Sequence, residues 1–342
     1  MGEDRRAGVD RGEAPPGFRI RDFNGSEEDY RATADVWNAS FPDERVTARM
    51  RRHRDKIRQK QFLFQRLIGE MDGKPVADGF YGEDEWSHLP GKYILGIQVV
   101  PEYRGAGLGG AVYEYILRAL EGREPAPTVL SAYAREDGTG SIRFIEKRGF
   151  RPVQRNQFSK GDVRAFDPAP FEETLSRVEE SGVKIRPFGE LMTEDPDALR
   201  KAYEIGWEYL QDVPFPDPIT KMPFEQYLAE VEGPDGMPES WFVAVHNGEY
   251  VGMTQLWKNL GDPELLQTGL TGVARSHRRR GVATALKVRA IMRAKELGAK
   301  AIRTDNEENN PMYLLNVKLG FKPIPSWVVY KNELTGGSGR ND

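Results

Sequence analysis

Apolar positions along this chain follow two periods, and the same succession of periods occurs twice. Short apolar runs that meet an Asp-Gly or Asn-Gly pair predict β-hairpins at residues 67–76 and 242–251. Apolar residues at helical spacing predict a helix in each half, and they are Leu108, Val112, Ile116 and Leu120, then Leu286, Ala290 and Ala294. Alternating strands and helices indicate an α/β fold of the layered α+β kind. In such a fold, helices flank a mixed, twisted sheet.

The repeat consists of four blocks that recur in the same order at an offset of about 170 residues. Each half has a short opening strand, a hairpin, and then a strand, a basic glycine-bearing loop and a helix. The last block is a helix that ends at Gly149-Phe150 in the first half and at Gly320-Phe321 in the second. Further helical regions are predicted at residues 27–65, 195–211 and 223–231. The pattern therefore predicts two tandem copies of one fold.

The domain boundaries follow from this repeat and from composition. We expect a flexible N-terminal tail over residues 1–15, a first domain over 16–165 and a second domain over 183–334. Phe171, Leu175 and Val178 stand at helical spacing and predict a connecting helix within the linker 166–182. Glycine and serine residues predict a flexible tail at 335–342.

Composition narrows the chemistry. The 342 residues carry a formal charge of −4 and contain no cysteine. This excludes a cysteine nucleophile and thiolate metal sites, and four scattered histidines predict no metal site. A balanced charge lacks the basic field of a nucleic-acid binder, and no apolar run is long enough to cross a bilayer. We expect a cytoplasmic monomer or homodimer that binds neither nucleic acid nor membrane.

Two glycine-bearing loops are the main candidates for ligand binding. The loops are Arg104, Gly105, Ala106, Gly107, Leu108 and Gly109 in the first half, and Arg278, Arg279, Arg280, Gly281, Val282, Ala283 and Thr284 in the second. Glycine between a strand and a helix lets backbone N–H groups approach a ligand, and the helix N-terminus adds unpaired donors. Arginine is unfavourable at a helix N-terminus unless an anion is bound there. Both loops therefore predict a phosphate or diphosphate site.

A dinucleotide site is an alternative interpretation of the first loop. Residues 105–110 fit G-x-G-x-x-G, but the second loop does not, and neither loop carries the G-K-[ST] of a nucleoside-triphosphate P-loop. The first loop also lies far from the start of its domain, where a dinucleotide-binding unit would place it.

The loop pattern Arg/Gln-x-x-Gly-x-Gly/Ala resembles motif A of the GNAT N-acetyltransferase superfamily, which binds the pyrophosphate of acetyl-coenzyme A. The residues that fit are Arg104, Gly107 and Gly109, then Arg278, Gly281 and Ala283. The downstream element N-x-x-A-x-x-x-Y-x-x-x-G-F is similar to the segment from Asn309 to Phe321 and, more weakly, to 138–150. The resemblance covers both halves, and the tandem arrangement is similar to that of the mycothiol synthase family, although no motif assigns the acceptor.

The resemblance implies two tandem GNAT-like domains that use acetyl-CoA as co-substrate. The strand residues Val99 and Val100, or Gly272 and Val273, would contact its pantetheine arm, and Asn309 and Asn316 belong to the same binding set. In many members the tyrosine of the downstream element protonates the leaving thiolate. Ile145 and Asn316 stand in its place here. Asn316 can donate an amide N–H but is no general acid, and Tyr313 is a conceivable substitute.

The predicted activity is acyl-CoA-dependent N-acyl transfer to a small-molecule amine by direct attack, with acetyl as the expected acyl group. The second half is the expected catalytic half because it keeps Asn316. Candidate bases are Glu208, Asp212 and Asp305 in the second half and Asp84 and Glu85 in the first. Residues 207–225 have no counterpart in the first half, and we expect acceptor specificity there. The alternative from another class is a non-catalytic sensor or scaffold that binds acetyl-CoA.

Overall fold

A computed structural model describes residues 14–334 of the chain. The predicted tail 335–342 and positions 1–13 of the predicted N-terminal tail lie outside the described residues. The strands are β1 (Phe18–Asp22), β2 (Phe64–Met71), β3 (Lys74–Glu83), β4 (Lys92–Val99), β5 (Val129–Arg135), β6 (Arg151–Asp162), β7 (Lys184–Pro187), β8 (Phe242–His246), β9 (Glu249–Lys258), β10 (Leu265–Val273), β11 (Ala301–Glu307), β12 (Lys322–Pro323) and β13 (Trp327–Glu333). The helices are α1 (Glu27–Ser40), α2 (Ala48–Ile57), α3 (Leu108–Leu120), α4 (Thr139–Glu146), α5 (Glu172–Glu180), α6 (Phe188–Glu194), α7 (Ala198–Leu210), α8 (Phe224–Val231), α9 (Val282–Glu296) and α10 (Pro311–Lys318).

All the strands belong to one mixed sheet, so the fold is α/β with two tandem copies of one topology. The strand order is β1-β2-β3-β4-β5-β13-β6-β11-β10-β9-β8-β7, and β12 pairs with β6. The first five strands of each half follow the same order, and the fourth and fifth are parallel in both halves. The other pairs among the described strands are antiparallel.

The centre of the sheet is built by an exchange of strands between the halves. The last strand of the second half, β13, lies between β5 and β6, and β6 of the first half pairs with β11 of the second. Each half is therefore completed by a strand of the other. Because main-chain hydrogen bonds cross the boundary on both exchanged strands, the two halves form one continuous sheet.

Helices α3 and α9 each bury an apolar face against this sheet. Helix α3 buries its apolar face in the first core, with Ile116 fully buried. Helix α9 does the same in the second core, with Leu286 fully buried. The spacing of apolar residues that predicted these helices is the spacing that puts those side chains on one face. The connecting helix α5 packs against α9.

The long helical region predicted at 27–65 is two separate helices. Helix α1 ends at Ser40, before Pro42, because a residue that precedes proline is driven out of helical conformation. Helix α2 begins after Thr47, whose side chain accepts a hydrogen bond from Met50 N. Residues 64–65 already belong to β2. Among residues 14–334, no helix combines the length and the apolar character that a bilayer span requires.

Candidate active site

The two arginines that open the glycine loops have the same local geometry. Arg104 Nε donates to the carbonyl oxygen of Val99 at 2.9 Å, and Arg278 Nε donates to that of Val273 at the same distance. Each arginine is thus fixed to the end of the strand that precedes its loop. The Nε bond leaves the two Nη groups of each guanidinium for other acceptors, and Arg278 uses Nη2 for Asp212.

The backbone of the two loops is also alike. Gly107 and Gly281 both have φ of +88° and stand at the N-termini of α3 and α9. Gly105 has φ of +82°, and Arg279 at the matching position has φ of +60°. Left-handed residues that alternate with right-handed ones turn successive N–H groups toward one side, which creates a concave site for an anion. Both loops therefore have the backbone of a phosphate site.

A cleft of about 810 Å³ opens beside the second loop. Of the residues that the sequence assigned to cofactor binding, eight line it, and they are Gly272, Val273, Arg278, Arg279, Gly281, Val282, Ala283 and Thr284. Arg280, Asn309, Tyr313 and Asn316 do not line it. The named residues of the first loop lie outside this cleft as well. The cleft thus begins at the glycine-bearing loop of the second half.

The cleft exists because two parallel strands separate. Strands β10 and β11 are paired only as far as Gln267 and Arg303. Beyond that point, residues 268–273 of β10 and residues 304–307 of β11 line the cleft from opposite sides. A register shift between Thr268 and Thr271 marks an irregularity in β10 at the same place. An extended ligand chain can therefore lie between the strands.

Arginine side chains make the loop end of the cleft positive. Asp212 accepts a hydrogen bond from Arg275 Nη2 at 2.5 Å and another from Arg278. These two bonds lower the pKa of Asp212 to about 2, so its carboxyl is ionised at neutral pH. Among residues 14–334, Arg279 and Arg280 form no ion pair. Both remain available to an anion from outside the chain.

A lysine and a carboxylate lie farther along the cleft. Lys287 of α9 is 4% exposed, and burial lowers its pKa to about 8, although Asp305 acts in the opposite direction. Asp305 of β11 is open to the cleft. Desolvation by the surrounding protein raises the pKa of its carboxyl, while Arg303 and Lys287 oppose that shift. Asp305 is therefore placed to accept a proton inside the cleft.

The two candidate catalytic residues from the sequence lie behind the cleft wall. Asn316 is fully buried, and its Nδ2 donates to Asn306 Oδ1 at 2.6 Å. Asn306 does line the cleft. Tyr313 is partly buried on α10. Asn309 is exposed and bonded to Glu307, with its Nδ2 at 2.8 Å from Glu307 Oε1. The position of Asn316 allows it to orient Asn306, and it reaches the cleft through that residue alone.

An aromatic ring packs against the helix that follows the first loop. Phe144 of α4 lies against the start of α3, because a Cβ placed on Gly109 would be 3.5 Å from its ring. The guanidinium of Arg148 stacks on that ring, with its carbon at 3.7 Å from the centroid. In the repeat, Leu315 stands where the first half has Phe144, and Leu315 lines the open cleft.

The cleft also contains residues that the sequence did not single out. Tyr133 of β5 and Gln154 and Asn156 of β6 line it, although they belong to the first half. Lys287 was likewise not named. Only the strand exchange brings the first three residues to this cleft, and the repeat carries no signal of that exchange. A buried lysine within the apolar face of α9 is a signal that could have identified Lys287.

The fold, the two similar loops and the cleft are features of a GNAT-type transferase. A comparison of the sequence with family profiles leads to the same class. The profile of the Acetyltransferase (GNAT) family matches residues 30–150 and 199–321. The chain therefore belongs to the GNAT acetyltransferase family, with two GNAT units in tandem. The family implies acyl-CoA-dependent acyl transfer. No curated protein sequence matches the chain.

Solved structures with the same fold cover nearly the whole chain. A GCN5-related N-acetyltransferase from Sphaerobacter thermophilus is 20% identical, with a TM-score of 0.70 over 95% of this chain and 98% of its own. A tandem GNAT protein from the clavulanic acid biosynthesis pathway is 17% identical, with a TM-score of 0.70 over 94% and 100%. N-myristoyltransferase from Saccharomyces cerevisiae is 11% identical, with a TM-score of 0.56 over 97% and 83%. At these identities the likeness establishes the fold alone.

Proposed function

We propose that this protein transfers the acetyl group of acetyl-CoA to a small-molecule amine, and that the cleft of the second half is the catalytic site. The observation that carries the proposal is that one cleft joins the anion-binding loop at Gly281 to the open carboxyl of Asp305. A diphosphate site and a proton acceptor at the two ends of a single cleft suit transfer from a CoA thioester to an amine.

The residues at the loop end fit the diphosphate of acetyl-CoA. The N-terminus of α9 offers unpaired N–H groups, and Gly281 leaves them accessible. Arg279 and Arg280 supply positive charge that no described residue neutralises. The gap between β10 and β11 is open to an extended pantetheine arm, with Gly272 and Val273 on its wall. Asn316 would contribute to binding of acetyl-CoA by orienting Asn306, to which it is hydrogen-bonded. Asn309 would contribute through the loop in which it is hydrogen-bonded to Glu307.

Acetyl-CoA supplies the thioester carbon that the neutral amine attacks. The bound ammonium first gives a proton to Asp305 and becomes the neutral amine. A C–N bond then forms, the C–S bond breaks, and the proton that the nitrogen carries after the attack is released with the departing thiolate as the thiol of CoA. A thiol with a pKa of about 8.5 leaves as a stable thiolate. The departure of CoA therefore does not require the tyrosine that many members of the family carry. The raised pKa of Asp305 brings its carboxylate closer to the basicity that proton transfer near neutral pH favours.

The second half is favoured over the first because its loop opens into the cleft. In the first half Phe144 packs against the first turn of α3, whereas Leu315 at the matching position lines the cleft. A carboxylate placed at either N-terminal glycine would repel a diphosphate there. Gly281→Glu is therefore the informative variant, and Gly107→Glu is its matched control because both positions have φ of +88°.

The test measures CoA release with a panel of amines, together with thermal stabilisation by acetyl-CoA. Gly281→Glu is expected to abolish both signals, and Gly107→Glu is expected to retain them. Since Gly281 packs closely against α5, Arg280→Glu at an exposed position provides a second charge reversal with little effect on folding. Circular dichroism checks that each variant is folded.

Two other outcomes would contradict the proposal. Stabilisation by acetyl-CoA without CoA release for any amine would favour a sensor or scaffold. Stabilisation by NAD without any effect of acetyl-CoA would favour dinucleotide binding. The mycothiol synthase-like arrangement belongs to the same proposal and is supported by the tandem order alone.

A further inference from the structure

The end of the cleft away from Gly281 is built by both halves of the chain. Tyr133 and Gln154 come from β5 and β6 of the first half, and Val329 comes from the exchanged strand β13. Residues 213–216 of the second half lie over the same space. An acceptor that reaches Asp305 from this end must therefore contact residues of the first half.

Residues 212–220, which we name the strap, are held against the first half. Asp217 forms ion pairs with Lys331 at 2.6 Å and with Lys92 at 2.7 Å. The Thr220 N–H donates to the carbonyl oxygen of Trp86 at 2.8 Å. Prolines at 214, 216 and 218 restrict the backbone of the strap between these contacts. The strap is therefore a fixed wall of the cleft.

Two aromatic rings are exposed within this part of the cleft. Tyr133 is 52% exposed and Phe215 of the strap is 44% exposed, and both line the cleft. Among residues 14–334, neither ring is stacked on another aromatic side chain. Exposed rings in a concave site mark a surface that binds an apolar group. Gln154 and Asn156 add amide groups beside them, with Gln154 Nε2 at 2.9 Å from Asn156 Oδ1.

The charges beside these rings differ from those at the loop end. The carboxylates of Asp305 and Glu307 line the cleft, and neither forms an ion pair with a described residue. Lys287 lies on the wall formed by α9, with the lowered pKa given above. Arg278, which also lines the cleft, is paired with Asp212 of the strap, and Arg279 stands on the glycine-bearing loop. An ammonium group is thus attracted to this part of the cleft, and a carboxylate is repelled by Asp305 and Glu307.

We propose that the acceptor is a primary amine attached to an uncharged, ring-sized apolar body, which binds between Tyr133 and Phe215 with its ammonium directed to Asp305. The inference rests on the proposed function and adds the class of acceptor to it. Amines that carry a carboxylate beside the nitrogen, such as free amino acids, are disfavoured. The first half is then a part of the acceptor site, joined to the catalytic half by the exchanged strands.

The test compares amines that differ only in that carboxylate. Tyramine is expected to have a kcat/KM at least about tenfold above that of tyrosine, and tryptamine is expected to exceed tryptophan similarly. Tyr133→Ala and Phe215→Ala are each expected to raise the KM for tyramine roughly three- to tenfold and to leave the KM for acetyl-CoA unchanged. Tyr133→Phe is expected to retain wild-type behaviour, since the ring makes the contact.

Val153→Ala is the matched control. Val153 is next to Gln154 on β6, is 47% exposed and does not line the cleft. It is expected to leave all kinetic constants unchanged. A preference for tyrosine over tyramine, or an unchanged tyramine KM in both aromatic variants, would overturn the inference.

A binding experiment separates this inference from the proposed function. Tyramine is titrated into the protein saturated with CoA, and its Kd is measured for the wild type, Tyr133→Ala and Phe215→Ala. Weaker binding of tyramine in both variants supports the acceptor site, whether or not CoA is released. Absence of CoA release would contradict the proposed acetyl transfer and would leave the acceptor site supported. Equal binding in all three proteins contradicts the acceptor site.

Discussion

Gly107 and Gly281, at the N-termini of α3 and α9, have the same backbone conformation but different neighbours. Substitution of each glycine therefore tests the contacts of the two loops. A methyl group added to Gly281 would lie 2.6 Å from Thr174 Cγ2 of α5 and 3.4 Å from Val178 Cγ2. The same group added to Gly107 would meet only Pro15 Cγ, at 3.8 Å. Both substitutions force an L-residue into the left-handed region, at φ of +88°.

The expected costs follow from these contacts. The left-handed conformation alone costs about 1–2 kcal/mol for a non-glycine residue. Overpacking at a tight contact adds about 1–3 kcal/mol. Gly107→Ala is therefore expected to lower the free energy of unfolding by about 1–2 kcal/mol, and Gly281→Ala by about 2–5 kcal/mol. Thr174→Ser removes the methyl group that causes the contact and keeps the hydroxyl.

The assay is urea unfolding at 25 °C for the four proteins of a Gly281→Ala and Thr174→Ser cycle, with Gly107→Ala beside them. In the Thr174→Ser background, the cost of Gly281→Ala is expected to fall to that of Gly107→Ala. Equal costs of Gly281→Ala in both backgrounds would refute the claimed contact between α5 and the loop. A cost near zero for Gly107→Ala would refute the assigned backbone conformation.

Two further predictions concern pH. The pKa of Glu230 is raised to about 7 by burial, so the stability linked to its protonated form is full below about pH 4.5 and is lost as the pH rises toward 7. Glu230→Gln should match the wild type at pH 4.5 and exceed its free energy of unfolding by up to about 3 kcal/mol at pH 8; an equal free energy at pH 8 would contradict this. The pKa of Asp212 is lowered to about 2, so the stability linked to its ionised form is present above about pH 4 and lost as the pH falls through 2. Asp212→Asn should be less stable than the wild type at pH 7 and equal to it at pH 2 in urea unfolding, and a difference that persists at pH 2 would contradict the assignment.

Local sequence accounts well for the repeated elements. Helix α3 and helix α9 begin directly after Gly107 and Gly281, and their apolar faces are those that the spacing predicted. The hairpins at Asp72-Gly73 and Asn247-Gly248 form where the turn residues predicted them, with positive φ at all four positions. These features depend on interactions between residues close in the chain, so a sequence pattern is sufficient to locate them.

The residues that line the cleft could not be predicted from local sequence patterns. Asn316 and Ile145 occupy matching positions in the repeat, but only the packing shows that Asn316 is buried behind Asn306. Tyr133 has the pattern of an ordinary strand residue, and nothing near it in sequence indicates a ligand. Its place in the cleft depends on contacts between residues more than a hundred positions apart.

The sequence by itself determined the duplication, the main helices and strands of each half and the position of the two glycine-bearing loops, because these follow from periodicity, turn residues and glycine at fixed positions. The tertiary structure decided which loop opens into a cleft and which residues share it. The physical reason is that the cleft depends on contacts between residues that are far apart in the chain. These contacts are the exchange of strands and the packing of Phe144 and of the strap. Two strands of similar pattern, β6 and β13, carry no local mark of which partner they will pair with.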